Sequence, residues 1–128
     1  MKARQSILAL AILLVLGFMQ GQAGADFYKG KQLVALMHEY DRGMAGAEGV
    51  NWSDAGRYMG YIIGVYDALS QAEELLGVAW SNPDKVTAGQ ACTIVSKYLK
   101  KHPERWNEWA VTLVIDALKE AFPLPKKK

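Results

Sequence analysis

Residues Asp54 to Gly77 read DAGRYMGYIIGVYDALSQAEELLG. The pattern is that of one long helix. Gly56, Gly60, Gly64, Ala68 and Ala72 recur at every fourth position. At about 3.6 residues per turn, that spacing predicts a ribbon of small side chains down one side. A glycine inside a helix costs about 1 kcal/mol relative to alanine. Three of them point to a gain elsewhere, and close approach of another helix is the obvious one. Tyr58, Tyr61, Ile62, Val65 and Leu69 lie beside the ribbon, placed to flank such a crossing. Gly-x-x-x-Gly is best known from membrane helices. Arg57 and Asp67 interrupt the run here, so a soluble bundle core is the expected setting. Gly56, Gly60, Gly64 and Ala68 are thus expected as helix-packing positions, with the rest of the mature chain wrapped around this helix.

Outward towards the N-terminus, residues 1–25 read as a secretory signal peptide. Lys2 and Arg4 give a positive start, Ile7 to Met19 an apolar run, and Ala23-Gly24-Ala25 a small-x-small cleavage site before Asp26. An uncleaved anchor helix is the alternative, but the apolar run is short for a span. No cysteine lies near the cleavage site, which argues against a lipid anchor. The expected mature product is Asp26 to Lys128, a single soluble domain in the periplasm. A domain of this size buries roughly two thirds of its unfolded surface. The full chain carries a formal charge of +2, and both charges in the first 25 residues are positive, so cleavage leaves a net charge of zero. A nucleic-acid partner is therefore not expected, and Lys126 to Lys128 read as a solvated tail. Cys92 is the one cysteine, so no intramolecular disulfide can form. It is most simply a small buried residue. An intermolecular bridge is the other reading.

Before the long helix, FYKGKQLVALMHEYDRG predicts a first mature helix. Leu33, Leu36, Met37 and Tyr40 fall at helical spacing, and Gly43 is a candidate C-terminal cap. His38 reads as a surface histidine. Met44 to Val50 reads as a flexible link, and Asn51 to Asp54 offer several N-caps. Trp52 packs at the helix start or stands exposed as a binding anchor.

After the long helix, Gly77 is a possible cap and Val78 to Val86 a loop with a turn at Asn82-Pro83-Asp84. Thr87-Ala88-Gly89-Gln90 has the form of a capping box. It opens a third helix, running to about Lys101, with Lys97, Lys100 and Lys101 towards the end favoured by the helix dipole. His102-Pro103-Glu104-Arg105 is a joint, since proline stops one helix and fits the first turn of the next. The last helix is expected from about Pro103 to Phe122, with Trp106, Trp109, Leu113, Val114 and Leu118 on its apolar side. The fold class is all-α, a bundle of about four helices.

A catalytic constellation is missing from this reading. Cys92 and His102 are the only nucleophile and base worth pairing. Ten residues of helix separate them by about 15 Å. Asp67 is a lone helical aspartate. The sequence holds no phosphate loop, no zinc-binding helix motif and no Cys/His cluster. No enzyme activity, cofactor or metal is expected.

Four stretches together resemble a known family. They are Gly60-Tyr61-Ile62-Ile63-Gly64-Val65-Tyr66-Asp67-Ala68, Val86-Thr87-Ala88-Gly89-Gln90, Lys97-Tyr98-Leu99-Lys100-Lys101-His102-Pro103-Glu104, and Ala117-Leu118-Lys119-Glu120-Ala121-Phe122-Pro123. In this order and after a signal peptide, residues 54–123 resemble the Rap/Tai family of immunity proteins. The resemblance implies a small helical periplasmic protein, often a homodimer. It implies a partner, a type VI secretion effector that cleaves peptidoglycan peptides as an amidase, which the immunity protein binds and blocks. Members commonly carry cysteines where this chain has Met37, Tyr58, a residue near Trp80, and Leu124, so apolar packing must replace the missing bridges. The alternative is a periplasmic helical binding, chaperone-like or scaffold protein. Trp52, Trp80 and Trp106 are the candidate partner-binding residues, each with a structural role as the competing explanation.

Overall fold

The computed structural model describes residues 27–76 and 86–124. The expected signal peptide, Gly77, Trp80, the turn expected at Asn82-Pro83-Asp84 and the lysines at 126–128 lie outside the described residues. Four helices follow in order: α1 (Gly30–Met44), α2 (Trp52–Leu76), α3 (Ala88–Lys101) and α4 (Ala110–Ala121). A short 3₁₀ turn, Pro103–Arg105, joins α3 to α4. The fold is all-α, as the periodicity predicts. No helix among the described residues is long and apolar enough to cross a membrane.

The core forms where the apolar stripes of the four helices meet. Leu33, Met37, Tyr58, Ile62, Cys92, Val95, Leu99, Leu113, Val114 and Leu118 are its largest fully buried members. Each of the larger aliphatic ones contributes about 1.5–3 kcal/mol by leaving water. Met37 and Tyr58, two positions at which the resemblance implies cysteines, are both fully buried in this core. Tyr58 also brings a hydroxyl inside. It donates to the Cys92 carbonyl at 3.0 Å, tying α2 to α3. Left unpaired, that hydroxyl would cost about 1–3 kcal/mol.

The glycine ribbon is not in this core. Ala55, Tyr58, Ile62 and Leu69 are the buried positions of α2, while Gly56, Gly60, Gly64 and Ala68 are exposed. A Cβ added at Gly56, Gly60 or Gly64 would meet nothing within 4 Å. Among the described residues the expected crossing with another helix of the same chain is therefore absent. The reason is geometric. A four-residue step overshoots one turn by about 40°, so the ribbon winds about 160° round the helix between Gly56 and Ala72. The buried stripe alternates steps of three and four residues and stays on one side.

Close approach occurs instead at Gly30, the first residue of α1. An added Cβ would lie 2.5 Å from Leu113 Cδ1 and 2.9 Å from both Trp106 Cα and Trp106 O. The backbone explains why. The Gly30 amide donates to Glu108 O at 2.9 Å and the Lys31 amide to Trp106 O at 2.8 Å. In return the Ala110 amide donates to Tyr28 O at 2.8 Å, and Lys29 and Trp109 form one antiparallel bridge. The first amides of a helix have no partner within it. Here each helix start supplies what the other lacks.

That exchange also corrects the extent of the last helix. It begins at Ala110 and not at Pro103, because Trp106 and Glu108 spend their carbonyls on α1. Arg105 fixes the break. Its guanidinium pairs with Glu108 at 2.6 Å and Asp116 at 2.8 Å, and donates to the Tyr98 hydroxyl. Both carboxylates and the phenol are thereby gathered around one fixed charge.

Two other junctions differ from expectation. Gly43 does not cap α1, which continues to Met44, and Gly46 takes the left-handed conformation at φ 71. The Met44 to Val50 link is a bonded turn. Arg42 donates to Glu48 O at 2.9 Å, and the Glu39 carboxylate accepts the Asn51 amide at 2.6 Å. Asn51 serves as N-cap of α2, its Oδ1 accepting from the Asp54 amide at 3.2 Å. The capping box of α3 is as expected, with Gln90 N to Thr87 Oγ1 at 3.2 Å and Thr87 N to Gln90 Oε1 at 2.8 Å. At its other end Lys100 pairs with Asp41 at 2.7 Å and Lys101 with Glu120 at 3.0 Å.

Candidate partner-binding surfaces

The three tryptophans singled out in the sequence have different fates. Trp106 is half-buried, and its indole donates to Leu99 O at 2.8 Å. It is a structural part of the α3–α4 joint. Trp80 lies outside the described residues. Trp52 opens α2 and is 68% exposed. The underside of its ring rests on Gly43, where a Cβ would come within 2.8 Å of the indole. A rigid aromatic standing on a glycine shelf has lost little freedom to lose again on binding.

Beside that shelf is Met44, the last residue of α1, 71% exposed. It lines a groove of about 580 Å³ with Val86, Ile94 and Phe122, edged by Thr87, Gln90 and Thr93. An apolar floor with a hydroxyl and amide rim is the anatomy of a protein interface. Trp52 stands on Gly43, the residue before Met44, and is not itself part of the groove lining. The sequence reading left Met44 in a link. The overlooked signal is a helix that outlasts Gly43 by one residue.

A second surface follows the exposed side of α2. Gly60, Gly64, Ala68 and Ala72 form one wall of a groove of about 470 Å³, and Val111 and Ile115 of α4 the other. Gly60 and Tyr61 also line a recess of about 540 Å³ with Phe27, Tyr28 and Arg57. Tyr28 stacks on Tyr61 at 5.4 Å and accepts from Arg57 at 2.5 Å. Trp109 was expected on the buried side of the last helix. It is 49% exposed, edge-on to Phe27 at 6.4 Å and covered by the Lys29 ammonium 3.1 Å from its ring centre.

The pair considered for nucleophilic chemistry is not assembled as one. Cys92 is buried in the core, and burial pushes its thiol up to about 11. A thiol with so raised a pKa is almost wholly protonated at neutral pH and a poor nucleophile. Its hydrogen-bond partner is the Tyr40 side chain. His102 Nδ1 is 3.0 Å from Glu104, and its ring lies 4.5 Å from Tyr98. Among the described residues no three His, Cys, Asp or Glu side chains come together as a metal site. A thiol reagent at pH 8 should therefore leave the native protein almost unlabelled and modify Cys92 fully in urea. Rapid labelling without denaturant would mean that the core opens around α3.

A family model describing Rap1a immunity proteins matches residues 24–124. The match spans the whole described fold and nearly all of the expected mature chain. The chain belongs to the Rap1a immunity protein family. Comparison with curated proteins and with solved structures gave no match. Membership of the Rap1a family assigns an immunity role, carried out by binding a cognate effector, and makes the exposed surfaces above the places to seek that contact.

Proposed function

We propose that this Rap1a-family chain is a periplasmic immunity protein that binds a type VI secretion peptidoglycan amidase and occludes its substrate groove. The family match carries this reading. The signal-peptide pattern of residues 1–25 supports the compartment, since an amidase acting on peptidoglycan must be met outside the cytoplasm. The effector contact is assigned to the surface of Trp52, Met44 and the groove floor of Val86, Ile94 and Phe122. Aromatic anchors beside a partly desolvated pocket dominate such interfaces. The mature chain has no net charge, so long-range steering is weak and affinity rests on packing and slow dissociation.

The test is binding of the purified mature chain to the cognate amidase, followed by calorimetry and by loss of peptide-cleaving activity. Inhibition at a one-to-one subunit ratio is expected. Trp52→Ala should weaken binding by about 30-fold, the scale of a hot-spot residue, through faster dissociation. Thermal stability should change little, because most of the indole is in water. Absence of binding at micromolar concentration would remove the assignment for that amidase. Undiminished affinity of Trp52→Ala would move the contact to another surface.

A further inference from the structure

We propose that the recess between Phe27, Tyr28 and the exposed side of α2 binds the free carboxylate of a short peptide whose last residue is apolar. Phe27, Tyr28, Arg57, Gly60 and Tyr61 line it, around about 540 Å³. Small-ligand sites run to roughly 300–1,000 Å³. The recess shares no lining residue with the groove assigned to the effector, so the two readings fail independently.

The polar groups here are rich in unspent donors. A guanidinium carries five N–H groups. Arg57 spends one on Asp54 at 3.3 Å and one on the Tyr28 hydroxyl at 2.5 Å. The others remain, in a planar fork that matches a carboxylate. The Tyr28 hydroxyl accepts from Arg57, and its own proton has no acceptor among the described residues. Asp54 is engaged at both oxygens, Oδ1 towards Arg57 and Oδ2 accepting from Asn51 Nδ2 at 2.9 Å. Its contact with Arg57 is exposed and lies within one helix, a kind that contributes little. The cation is therefore available to a ligand, and that ligand must accept.

The rest of the recess is aromatic and already ordered. Tyr28 stacks on Tyr61 at 5.4 Å, and the Arg57 guanidinium lies 6.0 Å from the Tyr28 ring centre. The Tyr28 carbonyl is anchored by the Ala110 amide at 2.8 Å. These side chains hold one another in place before any ligand arrives, so little freedom is lost on binding. Phe27 meets Trp109 edge-on at 6.4 Å, and Lys29 Nζ sits 3.1 Å over that indole. A second cation thus flanks the same aromatic group. Gly60 leaves open space, with nothing within 4 Å of an added Cβ. The donors and cations call for an anion, and the rings call for an apolar body joined to it. A peptide ending in an apolar residue carries both at its C-terminus. Phosphate offers only the first, and a neutral apolar side chain only the second.

Calorimetric titration of the mature chain with acetyl-alanyl-alanyl-phenylalanine tests this, against its C-terminal amide and inorganic phosphate. Saturable binding of the free acid with Kd below about 1 mM is expected. The amide lacks the charge and phosphate lacks the apolar body, so each should bind about tenfold more weakly or worse. Arg57→Met should abolish the preference for acid over amide. Arg57→Lys keeps the charge without the fork and should restore it only in part. Circular dichroism verifies that each variant is folded. Trp52→Ala should leave peptide affinity unchanged, and Arg57→Met should leave amidase inhibition unchanged. Equal affinity for acid and amide, phosphate binding as well as the peptide, full acid binding by Arg57→Met, or no saturation up to about 10 mM would overturn the inference. So would loss of amidase inhibition in Arg57→Met, which would make the recess part of the effector surface.

Discussion

Replacing Gly30 by alanine is expected to lower the unfolding free energy by about 1–3 kcal/mol, and replacing it by valine by more. The new Cβ meets the Trp106 backbone at 2.9 Å, with Leu113 Cδ1 closer still. A flexible side chain can step aside, but the Trp106 carbonyl cannot, because it accepts the Lys31 amide at 2.8 Å. Relief requires moving the start of α1 away from the α3–α4 joint. That loosens the Gly30–Glu108 and Ala110–Tyr28 bonds together. The loss runs against helix propensity, which favours alanine by about 1 kcal/mol. Urea unfolding measures it, with a lower midpoint at unchanged slope. Gly60 supplies the opposite case. Gly60→Ala should gain up to about 1 kcal/mol, since nothing among the described residues lies near the added carbon. Equal effects at the two sites would mean that backbone entropy, and not packing at Gly30, decides both.

The contrast between Gly30 and Gly60 marks where sequence reasoning ran out. Helix α3 was legible throughout, because its start depends on Thr87 and Gln90, three residues apart, and its end on the proline that follows. The apolar stripe of α1 was legible for the same reason: a period is a local property. The start of α4 was not. Pro103 is a good first-turn residue, and no local rule says that Trp106 and Glu108 will give their carbonyls to Lys31 and Gly30. That exchange depends on two helix starts meeting across the fold. The ribbon misled because its regularity was real but its period was wrong for this core. Steps of four drift round the helix, whereas Ala55, Tyr58, Ile62 and Leu69 hold one side. The site was half legible. Trp52 was visible as an aromatic before a capped helix. Gly43 beneath it acquires meaning only once α1 and α2 fold back on each other.

Deleting Met1 to Ala25 should abolish protection of cells that receive the cognate amidase in the periplasm, while leaving the domain able to bind it in vitro. The argument separates place from affinity. The described fold begins at Phe27, whose neighbours Tyr28 and Lys29 are already bonded to α4 and α1. The truncated chain should fold, and its dissociation constant for the amidase should match that of the exported form. Its location should not. Confined to the cytoplasm, it never meets an enzyme that works on the cell wall, however tight the complex. Cells with the intact gene should survive induction of the exported amidase, and cells with the truncated gene should lyse at the rate of those with none. Restoring an unrelated cleavable signal sequence to the truncated gene should restore survival. Equal protection from the cytoplasmic form would break the compartment argument, and loss of in vitro binding on truncation would place residues 1–25 in the inhibitor itself. Survival that follows the signal sequence, with affinity unchanged, would leave the helical domain as the inhibitor and the first 25 residues as its address.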